Sequence, residues 1–116
     1  MSSSSRIRVA VNGYGVIGKR VADAVARQAD MELTGVVDVS TDWRARAATQ
    51  HGFALFGASA GDTDAMREAG LHVGGSLDDL LSGIDVIVDC TPKKVASKNV
   101  ETYRNAGKKF ILQGGE

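Results

Sequence analysis

Along this 116-residue chain the apolar positions change period repeatedly, from two to nearly four and back. Ile7, Val9 and Val11, with Arg8 and Ala10 between them, form a β-rich run that stops at Asn12-Gly13 and predicts a first strand. Ile17, Val21 and Val25 then recur every four residues beside Ala22 and Ala26. That spacing predicts a helix from about Ile17 to Ala29 with one apolar stripe facing a sheet. Leu33 to Val39 is a second β-rich run, apolar enough for burial on both faces as in a parallel strand. Strand, helix and strand within about 33 residues make one βαβ unit.

The alternation continues. Ser40 to Asp42 offer N-caps for a helix on which Trp43 and Ala47 share a face, and Gly52 closes it. Phe53 to Phe56 predicts a third strand, and Asp62 or Thr63 the start of a short helix through Met66 and Ala69 to Gly70. Leu71 to Val73 reads as a brief extra strand. Ser76 with Asp79 three residues later has the form of a capping box, ahead of the apolar face Leu77, Leu80 and Leu81 and the stop at Gly83. Ile84 to Cys90 is the strongest strand pattern, and Thr91-Pro92 reads as an N-cap and first-turn pair. The helix that follows carries Ala96, Val100 and Tyr103 on one face as far as Gly107, and Phe110 to Leu112 is the last strand. The expected fold class is α/β: a doubly wound, mostly parallel, Rossmann-like sheet in a single domain of residues 6–116, with right-handed crossovers.

Composition narrows the function classes. Fourteen Lys plus Arg balance fourteen Asp plus Glu, which argues against nucleic acid or an anionic membrane as the main partner. One cysteine, Cys90, rules out an internal disulfide and a Cys-rich zinc site and fits a reducing cytoplasm; no metal site is expected. Residues 1–5, with four serines and no apolar stretch behind them, read as a disordered leader and not a secretory signal. No run reaches the roughly 18 apolar residues that span a bilayer. At 43% hydrophobic, the chain can build one core but not a two-domain enzyme.

Gly13, Gly15 and Gly18 form G-x-G-x-x-G directly after a predicted strand and at the start of a predicted helix, the context that turns a weak motif into a dinucleotide fingerprint. Gly13 would permit the tight turn, Gly15 the approach of a pyrophosphate, and Gly18 close packing of helix on strand. The helix start at Val16 and Ile17 would aim free N–H groups, with a partial charge of roughly +0.5, at the phosphates. Asp38, twenty residues past Gly18 at the end of the second strand, stands where a carboxylate accepts from the adenosine ribose hydroxyls. A carboxylate there favours NAD over NADP, while Arg44 and Arg46 either line a solvated helix face or meet a 2′-phosphate. Thr91 with Pro92, Gln113 with Gly114, and Cys90 fall at the carboxyl ends of strands and so on the same rim. Neither His51 nor His72 is spaced to activate Cys90, which reads as a small packing residue. Lys93-Lys94 and Lys108-Lys109 read as solvated pairs, and Trp43 as a helix-packing anchor in preference to an adenine stacker.

The segment from Val11 to Val25, VNGYGVIGKRVADAV, resembles the opening of the archaeal-type glyceraldehyde-3-phosphate dehydrogenases. Val88 to Lys94, VDCTPKK, and Leu112 to Glu116, LQGGE, follow in the same order, so the likeness extends from Arg6 onward. It implies a cytoplasmic homotetrameric oxidoreductase of glycolysis that oxidises glyceraldehyde 3-phosphate with NAD or NADP and inorganic phosphate. By the same resemblance Val16 and Ile17 serve the pyrophosphate and Gly114 the nicotinamide end. Many members carry a lysine where Asp38 stands. The family's nucleophilic cysteine lies in a Ser-Cys-Asn-Thr-Thr-like segment that these 116 residues do not contain, and Cys90 does not match it. The resemblance therefore implies a nucleotide-binding domain without its catalytic half and without the C-terminal helix that returns to cover one sheet face. By that implication the domain carries no catalytic residue and would be inactive alone. Two other readings stay open: a stand-alone dinucleotide sensor or adaptor, and the same domain of another aldehyde or semialdehyde dehydrogenase.

Overall fold

A computed structural model describes residues 6–113. Ten elements follow one another: β1 (Ile7–Asn12), α1 (Val16–Ala26), β2 (Met31–Asp38), α2 (Trp43–Gln50), β3 (Leu55–Gly57), α3 (Ala60–Glu68), α4 (Leu77–Leu81), β4 (Val86–Asp89), α5 (Lys93–Asn105) and β5 (Lys109–Leu112). The five strands make one sheet in the order β3-β2-β1-β4-β5, and every pair is parallel. This is the expected doubly wound sheet. The strand order reverses direction between β1 and β4, which opens a crevice at the carboxyl ends of those two strands.

Alternate residues of the central strands feed two cores. Val11 and Val36 pack with Ala22 of α1, Ala45 and Ala48 of α2, Leu55 and Met66. Ala10, Val37 and Ile87 face the other way, onto Leu77, Leu80 and Leu81 of α4 and Tyr103 of α5. The period of two in the strands thus becomes two layers of helix on one sheet. Asp79 and Ser76 form the expected capping box, which explains how a five-residue helix holds its start.

Several local expectations need correction. The buried face of α2 is Ala45 and Ala48, and Trp43 is 62% exposed, so the tryptophan is no packing anchor. Alanines win because they let the helix lie close to β3, and the indole stays outside, with the Lys19 ammonium 5.7 Å from its ring centroid. In α1 the buried positions are Gly18, Ala22 and Val25, while Ile17 is 44% exposed, and the helix stops at Ala26, short of Ala29. The third strand starts at Leu55 and not at Phe53, because Phe53 pairs edge-on with Tyr14 and stacks on His51. Helix α3 begins at Ala60, earlier than expected, because Ser59 caps it by accepting from the Asp62 N–H at 3.1 Å. Leu71 to Val73 forms no strand, and only a single bridge joins Gly57 to Ser76 nearby. Helix α5 is capped by Pro92 and not by Thr91, whose hydroxyl is already committed to Asp89. Lys108 is not a solvated side chain: its ammonium donates to the Ile84 carbonyl at 2.9 Å.

Candidate functional site

The crevice between β1 and β4 is a cleft of about 580 Å³. Asn12, Gly13, Tyr14, Gly15 and Ile17 line it from the first strand-to-helix turn, Asp38, Val39 and Arg44 from the second, and Cys90, Thr91, Pro92 and Val95 from the fourth. Three turns far apart in sequence converge because parallel strands place all their carboxyl ends on one side.

Each glycine of the motif has its own physical reason. Gly13 has φ +97°, a conformation that penalises a side chain, and a Cβ there would also stand 3.0 Å from the Cys90 carbonyl carbon. At Gly18 a Cβ would run into the Gly13 carbonyl oxygen, so this residue lets α1 sit against the turn. Gly15 is different. Its φ of −83° suits any residue, and a Cβ would meet no protein atom within 4 Å. It caps α1 without a side-chain hydrogen bond to the first turn, and that turn carries no acidic residue. The leading N–H groups of α1, at Val16 and Ile17, have no partner within their own helix. Val16 is 65% exposed and does not line the cleft, whereas Ile17 does.

Asp38 ends β2 and is buried, with 6% of its surface exposed. Its Oδ2 accepts from the Tyr14 N–H at 3.1 Å, and its Oδ1 accepts from the N–H groups of Val39 at 2.7 Å and Ser40 at 3.2 Å. The carboxylate is therefore also a strut of the glycine turn. The Tyr14 ring completes the anchorage from below, fully buried and 6.4 Å from Phe53 in an edge-to-face pair. Burial, and secondarily the charge of Asp23, raise the Tyr14 phenol above its ordinary value. On the same rim Arg44 lies 3.8 Å from Asp42, which also accepts from the Arg44 N–H as the cap of α2. Arg44 lines the cleft, whereas Arg46 turns to the Ala69 carbonyl at 3.4 Å.

The fourth turn rests on a buried polar cluster that no motif announced. Asp89 is fully buried and accepts from the Thr91 N–H at 2.9 Å, the Thr91 hydroxyl, the Asn99 amide at 3.0 Å and the Tyr103 hydroxyl at 2.6 Å. Tyr103 in turn accepts from the Asn12 amide at 2.9 Å. Burial, with the hydrogen bond to Asp89, drives the Tyr103 phenol far above its ordinary range. The only signal for the cluster in the sequence was a carboxylate closing the most apolar strand, a position that a buried charge occupies only when well partnered.

Cys90 lines the cleft, but burial and then the neighbouring Asp89 push its thiol from 9.0 up to about 11. A thiol so held is protonated at neutral pH and is a poor nucleophile. Among the described residues, no cluster of His, Cys, Asp or Glu could hold a metal, and no helix is long and apolar enough to cross a membrane. Gly114 lies outside the described residues.

Comparison with known proteins agrees with this geometry. Chains named glyceraldehyde-3-phosphate dehydrogenase are similar to this one at 44% identity in Methanothermus fervidus, over 93% of this chain and 32% of that one. In Methanococcus maripaludis strain C5 the figures are 48%, 95% and 33%, and in Thermococcus kodakarensis 47%, 96% and 33%. The expected resemblance is thereby met, and the chain spans about a third of the length of these curated relatives. Among solved structures, the WlbA dehydrogenase from Bordetella pertussis in complex with NADH and UDP-GlcNAcA matches with a TM-score of 0.67 at 22% identity, over 92% of this chain and 27% of that one. GenD2 from gentamicin A biosynthesis in complex with NAD matches with a TM-score of 0.60 at 19% identity, over 93% and 26%. At such identities the likeness is one of fold. The profile described as Dihydrodipicolinate reductase, N-terminus, matches residues 7–113, and the chain belongs to that family of Rossmann domains.

Proposed function

We propose that this chain is the dinucleotide-binding part of a glyceraldehyde-3-phosphate dehydrogenase, with NAD as its cofactor and NADP as the alternative. The observation that carries the reading is Gly15: the protein needs no glycine there, since φ is ordinary and a Cβ would meet nothing. A bare backbone beside uncapped helix N–H groups is space for a ligand, and its shape and polarity suit a pyrophosphate. The reaction comes from the names of the relatives, whose length this chain covers by a third.

Within that reading the bound dinucleotide supplies the hydride acceptor, and this chain's residues bind and orient it. Gly13, Gly15 and Gly18 shape the turn, and the amides of Val16 and Ile17 take the pyrophosphate. Asp38 takes the adenosine ribose; three of its roughly four lone-pair sites are occupied, which leaves about one for a hydroxyl. Thr91, and Gly114 beyond the described residues, serve the nicotinamide side. The Asp38 carboxylate disfavours a 2′-phosphate and Arg44 on the same rim favours one, so their balance sets the choice of dinucleotide. Cys90, held protonated, is not the reacting thiol, and that group would come from residues outside these 116. A domain spanning residues 6–116, a homotetramer completed by a catalytic half, and a cytoplasmic setting belong to the same proposal.

Calorimetric titration of the chain with NAD and with NADP tests it. Asp38→Asn should cut the preference for NAD about tenfold, some 1.4 kcal/mol, and Arg44→Ala should weaken NADP alone. Failure of both dinucleotides to bind at millimolar concentration would overturn the reading. Asp38→Asn will also lower stability by about 1–3 kcal/mol, because one backbone N–H loses its acceptor, so folding is checked alongside.

A further inference from the structure

The buried cluster beneath the cleft has a direction. A carboxylate accepts and does not donate, so Asp89 obliges both hydroxyls that reach it, those of Thr91 and Tyr103, to donate. With its own proton spent on Asp89, Tyr103 can only accept from Asn12, which sets the amide of Asn12 with Nδ2 toward the phenol. One Nδ2 hydrogen goes to the phenol and the second stays on that same side of the amide, so the end of Asn12 turned away from Tyr103 is its Oδ1, an acceptor. Thr91, its proton likewise spent, has only lone pairs to offer. Asn12 and Thr91 both line the cleft, one from the end of β1 and the other from the turn after β4.

We infer that Tyr103, which does not line the cleft, is a positioning residue for it: through Asp89 and Asn12 it holds the floor and the Thr91 wall so that both present acceptors, selecting a ligand that brings hydroxyl or carboxamide N–H donors to that end. Three elements meet in this relay. Tyr103 lies 91 residues from Asn12 and 14 from Asp89, and both it and Asp89 are fully buried. Without the phenol oxygen, the Asn12 amide loses the partner that orients it and is free to turn its donors to the cleft, where they repel the ligand's own.

The inference rests on the dinucleotide reading for its probe, and two probes separate the two claims. AMP reaches only the adenosine end, whereas NADH also carries a carboxamide and a second ribose. Fluorescence titration with NADH and calorimetry with AMP are run on the wild-type chain and on Tyr103→Phe. The variant should bind NADH about tenfold more weakly and AMP within twofold of wild type. Loss of NADH and AMP by the same factor means a merely structural role, and unchanged NADH affinity means no role; either result overturns the inference while wild-type binding keeps the dinucleotide reading. Absence of binding by the wild type overturns both. Asn99→Ala guards against a Tyr103 variant that fails to fold. It removes another donor to the same Asp89 oxygen from a half-buried site away from the cleft, and about a threefold loss for NADH alone is expected.

Discussion

A Cβ on Gly18 would stand 1.7 Å from the carbonyl oxygen of Gly13, five residues earlier, while a Cβ on Gly15 between them would touch nothing. Helix α1 rests directly on the turn that precedes it, and backbone cannot give way as a flexible side chain can. Gly18→Ala should therefore destabilise the chain by about 3 kcal/mol or more, and Gly15→Ala by no more than about 1 kcal/mol, the usual difference between glycine and alanine at an N-cap. Urea melts of the two variants measure this. Dinucleotide affinity should fall for Gly15→Ala in spite of its near-native stability, and equal melting losses at both positions would sink the ligand-cradle account of Gly15.

Cys90 yields a second prediction. With the thiol at about 11 and not 9.0, the thiolate fraction near pH 8 is roughly 100-fold below that of a free cysteine. Alkylation by iodoacetamide should be slow there and should accelerate steadily up to about pH 11. Because Cys90 lines the cleft, saturating dinucleotide should slow it further. A rate plateau near pH 7 would mean an activated thiol and would reopen Cys90 as a nucleophile.

Acid stability depends on a pair at the opposite end of the sheet. The Arg8 guanidinium donates to Asp85 at 3.2 and 3.4 Å, and the Arg8 N–H donates to it at 2.8 Å. The side-chain bond first, and the backbone bond after it, hold the Asp85 carboxyl below its ordinary 3.8. A group whose folded value is lowered contributes stability that is present above its unfolded value and lost as pH falls through the folded one. Arg8→Gln should thus be less stable than wild type above pH 3.8, with the gap closing below it. Both side chains are about half exposed, so the gap will be small and will shrink in salt. Acid titrations followed by circular dichroism test this, and a gap that persists below the transition would assign the effect to something other than Asp85.

Much of the fold was legible because its signals are local. Alternating Ile7, Val9 and Val11, the run from Ile84 to Cys90, and the Ser76-Asp79 box each act within a few residues; β1 and the α4 cap formed where those patterns stood, and the longer run formed the shorter strand Val86–Asp89. Errors arose where a competing contact, near or distant in sequence, outbid a local preference. Thr91 is a good N-cap by propensity, but Asp89 takes its hydroxyl. Trp43 has the apolar surface of an anchor, yet the close approach of α2 admits only Ala45 and Ala48. Of the site, the glycine motif, Asp38 and the rim of Cys90, Thr91 and Pro92 could be read directly, and Arg44 as one of two alternatives, whereas Asn12, Tyr14, Val39 and Val95 joined it only on folding.

The sequence by itself determined the order of strands and helices, the glycine turn and the carboxylate at the end of β2, because hydrophobic period and glycine's backbone freedom act over one turn or one strand. Only the tertiary structure decided that Asp38 braces Tyr14 across 24 residues, and that Tyr103, bonded to Asp89, reaches Asn12 across 91. Hydrogen bonds between distant segments depend on how strands are ordered in the sheet, and the pairing of β1 with β4 that brings these groups together is written in no local pattern.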